Sequence, residues 1–581
     1  MKVSDYIVDF LLERDIDKVF SYIGKNAHIC DSIDKAKDIE NIFSIHEQGA
    51  GFSADAYARM TGKSAVVTVT SGPGATNVIT SIADCYFDSI PSFYIVGDLS
   101  PNECKGSRPI RQFGFQETDI VELSKPITKY AVSITNLEEL RYELEKAYFI
   151  SQEGRKGPVL ISLPETLQFL TNFEPKNEKS FFDSQEYTSY INKEKDIAFS
   201  ETIIEETKAL ISKASRPLIL VGGGVRLADA SHELKQLLEQ TNIPIVYSLM
   251  GKDAISDEYA YNLGFLGNFG TRHANLTIAN CDLLIVLGSR LDNLQTGRKI
   301  ETFAKNAKVI QVDIDKNELG IRMPIHLSTQ SDLKNFLIQL NAQTFKLSLS
   351  TWHRYVLELK KKYPAEYALD GSKREGNQII EQLSKHLKVD DSICVDVGEH
   401  QMLVAQSLKT KKGQRVLFSG AFGAMGFALP AAIGATLSNN KRAIVITGDG
   451  GFQMNIQELE VIKRRNLAIK IFVINNASLH MVKLRQDAYL ESNHVGSKKD
   501  YSVPSFKKIA EAYGIKSHEA STIKEIYDLI EKSLENDEPE LLDIQISGEM
   551  TTVEPRLDFN RSFEDMRPYL ERDELKKQMF T

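Results

Sequence analysis

Two apolar runs near the carboxyl-terminal third of the chain end in conspicuously polar residues. Ala443–Thr447 is a short β-branched run closed by Gly448, the pattern of a strand buried on both faces. From Phe452 to Arg465 the apolar residues Phe452, Ile456, Leu459 and Ile462 recur at helical spacing. Ile469–Ile474 is a second buried-strand pattern. Strand, helix and strand predict a right-handed crossover between two parallel strands. Asp449 and Asn475–Asn476 then open at one carboxyl edge of a sheet, where open α/β sheets bind ligands.

The same rhythm recurs elsewhere. Pro217–Val221 is a strand pattern ending in Gly222–Gly224, followed by "CDLLIVLGSRLD" and "AKVIQVDID". "GFSADAYARMTGKSAVVTVTSGPGATN" (51–77) echoes "GFALPAAIGATLSNNKRAIVITGDGGFQMN" (426–455), with Gly72 answering Gly448 and Asp98 answering Asn476 at nearly the same separation. Two copies of one α/β unit flank a different central block. Polar stretches near 171–199 and 341–372 read as linkers.

At 581 residues, three or four domains of roughly 150 residues each are expected. A net charge of −9 argues against nucleic acid and anionic membranes as partners. Five scattered cysteines without a CxxC pair are neither a disulfide framework nor a zinc site, which suits a reducing cytoplasm. The opening "MKVSDYIVDFLLERDI" carries acids on an amphipathic helix and is no signal peptide, and no apolar run reaches membrane-spanning length.

Asp449 and an asparagine amide are hard ligands, too few to cage Ca²⁺. Mg²⁺ commonly takes one or two protein oxygens and completes its shell with water and phosphate. Gly448, Gly450 and Gly451 let backbone approach an anion, so the stretch suits a metal-bridged diphosphate. The alternative is a glycine turn with a helix-capping Asp449. The glycine triplet at 222–224 lacks full dinucleotide spacing, and "TGKS" at 61–64 is no P-loop, because Tyr57 stands where glycine is required.

Several motifs in order carry a family resemblance. Gly448-Asp449-Gly450, residues 451–474 and Asn475-Asn476 resemble the binding motif of thiamine-diphosphate enzymes. "HEQGAGFSADAYAR", "VTSGPGATN", "FQETDIV", "KGPVLISLP" and "GAMGFALPAAIGA" are similar to segments of acetohydroxyacid (acetolactate) synthases, over about residues 1–545. The resemblance implies an α/β fold of three doubly wound parallel-sheet domains. These are an amino-terminal pyrimidine-binding domain (1–170), a central FAD-binding-like domain (190–345) and a carboxyl-terminal diphosphate and Mg²⁺ domain (370–550), followed by a charged tail (551–581). It also implies a homodimer or tetramer with active sites between subunits.

Carried over by motif, Asp449, Asn476 and the Ser478 carbonyl hold Mg²⁺. Glu47 contacts N1′ of the aminopyrimidine, and Met425 is the apolar wedge that bends the cofactor. Tyr22, Gly24, Pro73, Asn77, Gly448, Gly450, Gly451 and Met481 complete the thiamine-diphosphate contacts. His400 falls where the family has a cofactor-contacting histidine; Glu399 replaces the family's glutamine and needs a proton, a cation or a turned-away rotamer. Gln116 and His480 join Glu47 as candidate catalytic residues, with Phe115 near the substrate. In the central domain the implied FAD contacts are Gly222, Gly223, Leu249 and Met250, then Gly270, Thr271, Gly288 and Arg290. Asp292, Asp313, Ile314 and Asp332 complete them, with Arg155 reaching in from the first domain.

The implied activity is a carboligation: pyruvate loses CO₂ and its hydroxyethyl unit passes to a carbonyl acceptor. The rivals are a carboligase acting on a keto-sugar nucleotide and a pyruvate-oxidase-like flavoenzyme. "ASLHMVKLRQ" sets Arg485 where pathway synthases typically have a tryptophan that favours 2-ketobutyrate. A guanidinium suits carboxylate or phosphate oxygens instead, so no 2-ketobutyrate preference and an anionic acceptor are expected.

Overall fold

The computed structural model describes residues 1–195, 201–547, 557–558 and 560–580. Three six-stranded sheets, parallel in every strand pairing, follow one another along the chain. The first holds β1 (Lys18–Ser21), β2 (Glu40–Phe43), β3 (Ala65–Thr70), β4 (Ser92–Asp98), β5 (Tyr130–Ser133) and β6 (Val159–Pro164), in the order β2-β1-β3-β4-β6-β5. The third repeats it with β13 (Ser392–Val395), β14 (Arg415–Phe418), β15 (Ala443–Gly448), β16 (Ile469–Asn475), β17 (Lys516–Ala520) and β18 (Glu540–Gln545), ordered β14-β13-β15-β16-β18-β17. The faint sequence echo therefore reflects identical topology. The order in which strands are added reverses between β1 and β3 and between β13 and β15, the crevices where such parallel sheets bind ligands.

The central sheet differs. Its strands β7 (Pro217–Val221), β8 (Ile245–Tyr247), β9 (Asn262–Phe265), β10 (Leu283–Leu287), β11 (Lys308–Asp313) and β12 (Leu327–Gln330) lie in the order β12-β11-β10-β7-β8-β9. Read from the other edge this is the dinucleotide-binding order, with the switch between β7 and β10.

First and third domains pack directly. Helix Glu47–Thr61 crosses helix Ala428–Asn439 so closely that a Cβ at Gly434 would lie 1.8 Å from the Ser53 carbonyl oxygen. Ser53 Oγ donates to the Pro430 carbonyl at 2.8 Å across the same contact.

Two expectations need correction. The helix from Phe452 to Arg465 is broken into Asp449–Met454 and Leu459–Arg464. Asn455 interrupts it, with Nδ2 donating to the Gly426 carbonyl at 2.8 Å and to Gln48 Oε1 at 3.1 Å. The polar stretches are not plain linkers: Phe173 and Phe181 are buried, and helix Ser350–Lys362 buries Trp352, whose Nε1 donates to the Pro217 carbonyl at 2.9 Å. The described tail doubles back onto the central domain, where the Leu557 amide donates to the Asn268 carbonyl at 2.9 Å. Among the described residues no helix is long and apolar enough to cross a membrane.

Candidate active site

Pairing of Gly448 with Ile474 brings Asp449 and Asn476 out of the sheet side by side, just past the ends of β15 and β16. Asp449 does not cap its own helix, which has Gly448 at the cap position and no side-chain cap. Its Oδ2 instead accepts the backbone N–H of Asn476 at 3.1 Å and of Ser478 at 3.3 Å, and Oδ1 accepts the Tyr501 hydroxyl at 2.6 Å. Burial raises the carboxyl above its ordinary range, an environment in which a cation would supply the counter-charge that water does not.

The two asparagines divide their tasks. Asn475 faces into the sheet, donating to Asp543 Oδ1 at 3.0 Å and accepting the Ala477 amide at 3.2 Å. Asn476 Oδ1 accepts the Ser478 hydroxyl at 3.1 Å. Ala477 between them has φ +49°, a left-handed turn that an alanine adopts only under constraint. That turn wraps residues 476–478 around the carboxylate. A Cβ on Gly450 would meet Leu479 Cδ2 at 2.5 Å, Met425 Cε at 3.2 Å and the Tyr501 hydroxyl at 3.2 Å. Glycine therefore leaves a cradle roofed by Met425.

His400 and Glu399 follow β13 on the other side of the switch point. The His400 ring lies 3.0 Å from where a Gly448 Cβ would be, and burial pushes its pKa down to about 4. It is neutral, and its buried Nε2 has no hydrogen-bond partner among the described residues. A buried polar atom of that kind fits a ligand that completes it. Glu399 Oε2 faces His480 Nε2 at 3.8 Å, both side chains being buried, and burial pushes His480 to about 4.

Glu47 opens its helix at 8% exposure, so it is no surface carboxylate. Asn77 Nδ2 donates to Glu47 Oε2 at 2.9 Å, and Gly74 comes so close that its Cβ would lie 3.2 Å from Oε1. Tyr22 and Gly24 follow β1 and Pro73 follows β3, which brings them together at the amino-terminal switch point. Gln116 sits over Gly72 in a left-handed conformation, φ +65°, and Phe115 beside it is 80% exposed. Arg485 is exposed on helix His480–Tyr489, with no ion pair or hydrogen bond among the described residues.

A cavity of about 510 Å³ lies where the three domains meet. Gly223, Leu249, Met250, Gly288, Arg290, Asp292, Asp313, Ile314 and Asp332 line it, with Arg155 from the first domain. Met481, expected at the thiamine cofactor, lines this cavity from the third. Gly222, Gly270 and Thr271 stand outside the wall. A Cβ at Gly222 would lie 2.0 Å from the Gly288 carbonyl oxygen, and Thr271 Oγ1 bonds His273 Nε2 at 3.2 Å. Arg155 is held by Glu318 at 2.9 Å and Asp315 at 3.3 Å.

Sequence reasoning missed three residues. Asp396 follows β13 as Asp449 follows β15, the same strand-end signal in the sequence. It accepts the amides of Gly426, Ala428 and Val397, and burial pushes it up to about 6. Tyr501 and Glu458 carried no signal, since their partners are distant in the chain. Among the described residues no three His, Cys, Asp or Glu side chains converge, so a cation at Asp449 depends on amide, carbonyl and ligand oxygens.

Three family descriptions match in order: thiamine pyrophosphate enzyme, N-terminal TPP-binding domain over residues 1–123, central domain over 204–340, and C-terminal TPP-binding domain over 396–544. The chain belongs to the thiamine pyrophosphate enzyme family. Within it, the chain is acetolactate synthase-like. It is 34% identical to the acetolactate synthase isozyme 2 large subunit of Escherichia coli K12 over 559 residues, covering 96% of this chain and 97% of that one. Against the acetolactate synthase large subunit of Lactococcus lactis it is 35% identical over 553 residues (94% and 92%). The chloroplastic acetolactate synthase of Arabidopsis thaliana is 33% identical over 579 residues (97% and 84%). For this thiamine pyrophosphate enzyme, the repeated outer sheets are the two TPP-binding domains.

Proposed function

We propose that the protein decarboxylates pyruvate and joins the remaining two-carbon unit to a carbonyl acceptor, as an acetolactate synthase-like carboligase using thiamine diphosphate and Mg²⁺. The observation that carries this is the buried Asp449 carboxylate, turned toward residues 476–478 beside a glycine cradle. When bound, thiamine diphosphate supplies the nucleophilic carbon and the electron sink. Asp449, Asn476 and the Ser478 carbonyl would hold the metal, and neutral His400 would offer Nε2 to the diphosphate. Asn77 engages Glu47 Oε2, leaving Oε1 over Gly74 to hold the proton at N1′. Met425, over the Gly450 cradle, would exclude water and shape the cofactor.

Apolar residues beside both half-sites, Ile23 and Phe115 in one domain and Met454 and Val482 in the other, are exposed. This supports a homodimer in which Glu47 of one subunit completes the metal half-site of the next. The three-domain cavity supports FAD: its size is that of a cofactor site, and the β7–β10 switch point with Gly223 and Gly288 suits a dinucleotide. Arg485, exposed on the helix after the metal loop, supports an anionic acceptor. Mass spectrometry of products from pyruvate, with and without added acceptors, tests the proposal. Acetolactate formation that requires thiamine diphosphate and Mg²⁺ is expected; pyruvate left unconsumed overturns it, and oxygen uptake matched to pyruvate loss would instead mark an oxidase.

A further inference from the structure

The amino-terminal half-site carries a cation that the chemistry above does not use. Lys25 directly follows Gly24 at the end of the β1 crevice, and its Nζ donates to Gln116 Oε1 at 3.0 Å. The ammonium also lies 5.8 Å from the centre of the exposed Phe115 ring. Among the described residues no carboxylate is within ion-pair distance of Lys25. Asp98, whose field reaches it, is engaged by the Ser162 hydroxyl at 2.6 Å and the Leu99 amide at 2.8 Å.

This placement is built rather than incidental. The Lys25 amide donates to Thr70 Oγ1 at 3.1 Å, and its carbonyl accepts Gln168 Nε2 at 3.0 Å. Gly97 presses so close beneath that a Cβ there would lie 2.4 Å from the Lys25 carbonyl carbon. On the other side Gln116 is fixed against Gly72, where a Cβ would meet its own Cβ at 2.8 Å. A clamped backbone therefore aims an ammonium at a clamped amide, both beside the proposed substrate.

We propose that Lys25 binds the carboxylate of the acceptor 2-oxo acid and so makes the enzyme select anionic over neutral acceptors. The inference rests on the proposed carboligase function and deepens it. A 2-oxo acid presents a carboxylate both as donor and as acceptor, and the two roles make opposite demands. The donor carboxylate must lose its charge as CO₂ departs, so a cation bonded to it stabilises the ground state and slows the step. The acceptor carboxylate survives ligation. There the new C–C bond pushes the carbonyl electron pair onto oxygen, which then takes a proton, and a nearby ammonium stabilises that developing charge. A cation whose one side-chain hydrogen bond among the described residues goes to a neutral amide oxygen keeps two further N–H groups for this task.

The test is competition between acceptors in the assembled enzyme with thiamine diphosphate, Mg²⁺ and FAD. Pyruvate is supplied as donor and anionic acceptor, propanal as neutral acceptor, and both products are counted per CO₂ released. Lys25→Met is expected to lower the ratio of acetolactate to the propanal-derived hydroxyketone by about tenfold, the weight of one charge-assisted hydrogen bond. Lys25→Arg should restore much of it. An unchanged ratio in Lys25→Met overturns the proposal, as does a fall in CO₂ release with the ratio intact, which would assign Lys25 to the donor. Should Lys25→Met fail to fold by circular dichroism, Lys25→Gln carries the same expectation. Wild-type enzyme that leaves pyruvate untouched overturns the carboligase function itself, and this inference with it.

Discussion

Glu458 of the third domain accepts the backbone N–H of His46 in the first at 3.1 Å, one residue before Glu47. The same carboxyl accepts the Ile45 amide at 3.2 Å, and a Cβ on Gly49 would lie 2.5 Å from it. The turn leading out of the metal half-site thus ties down the helix that begins with Glu47.

Burial raises Glu458 from 4.5 to about 7. With the folded value above the unfolded one, its stabilising protonation is complete below about pH 4.5 and lost as pH rises through 7. Glu458→Gln keeps an acceptor and removes the charge. Its melting temperature should therefore gain on wild type from pH 5 to pH 8, by the equivalent of up to about 3 kcal/mol. Parallel melting curves across that range would remove the buried-carboxyl account.

Glu47→Gln should retain the fold and bound cofactor yet lose roughly 10²–10⁴-fold in turnover, the usual weight of a general acid–base group. Steady-state rates at saturating thiamine diphosphate decide it, and near-normal rates would rule Glu47 out.

Asp449→Ala should fail one step earlier. It removes the carboxylate proposed for the metal and frees the amides of Asn476 and Ser478 together. Calorimetric titration should find thiamine diphosphate binding weakened at least tenfold in Mg²⁺; unchanged affinity would dismiss the metal site.

Gly288 has φ +57°, and an added Cβ would lie 2.6 Å from Gly224 Cα and 2.8 Å from Leu333 Cδ1. Gly288→Ala should reshape the β7–β10 crevice at a cost of about 1–3 kcal/mol. The purified variant should carry less flavin per chain than wild type. Full flavin content at an unchanged melting temperature would place the flavin elsewhere.

Offered equal pyruvate and 2-ketobutyrate, the enzyme should show no preference for the longer acceptor, because the exposed Arg485 guanidinium presents no apolar wall to the extra methyl. Strong excess of acetohydroxybutyrate over acetolactate would overturn that expectation. Arg485→Ala should raise acceptor KM more than it slows CO₂ release.

The chain's own pattern was enough for the strands β15 and β16, for Asp449 and Asn476 at one sheet edge, and for the likeness of the two outer domains. Those features rest on local periodicity and on crossover handedness, which act over a few tens of residues. Tertiary structure alone decided which asparagine faces the site, because Asp543 on a neighbouring strand claims Asn475. It also decided that Asn455 breaks a helix whose periodicity is unbroken, since Gly426 and Gln48 offer that side chain better partners than its own turn does. Tyr501 at Asp449, Glu458 at His46 and Lys25 at Gln116 belong to the same class. Each is a hydrogen bond between residues far apart in the chain, formed where burial removes competing water, and nothing in the local pattern of either partner encodes it.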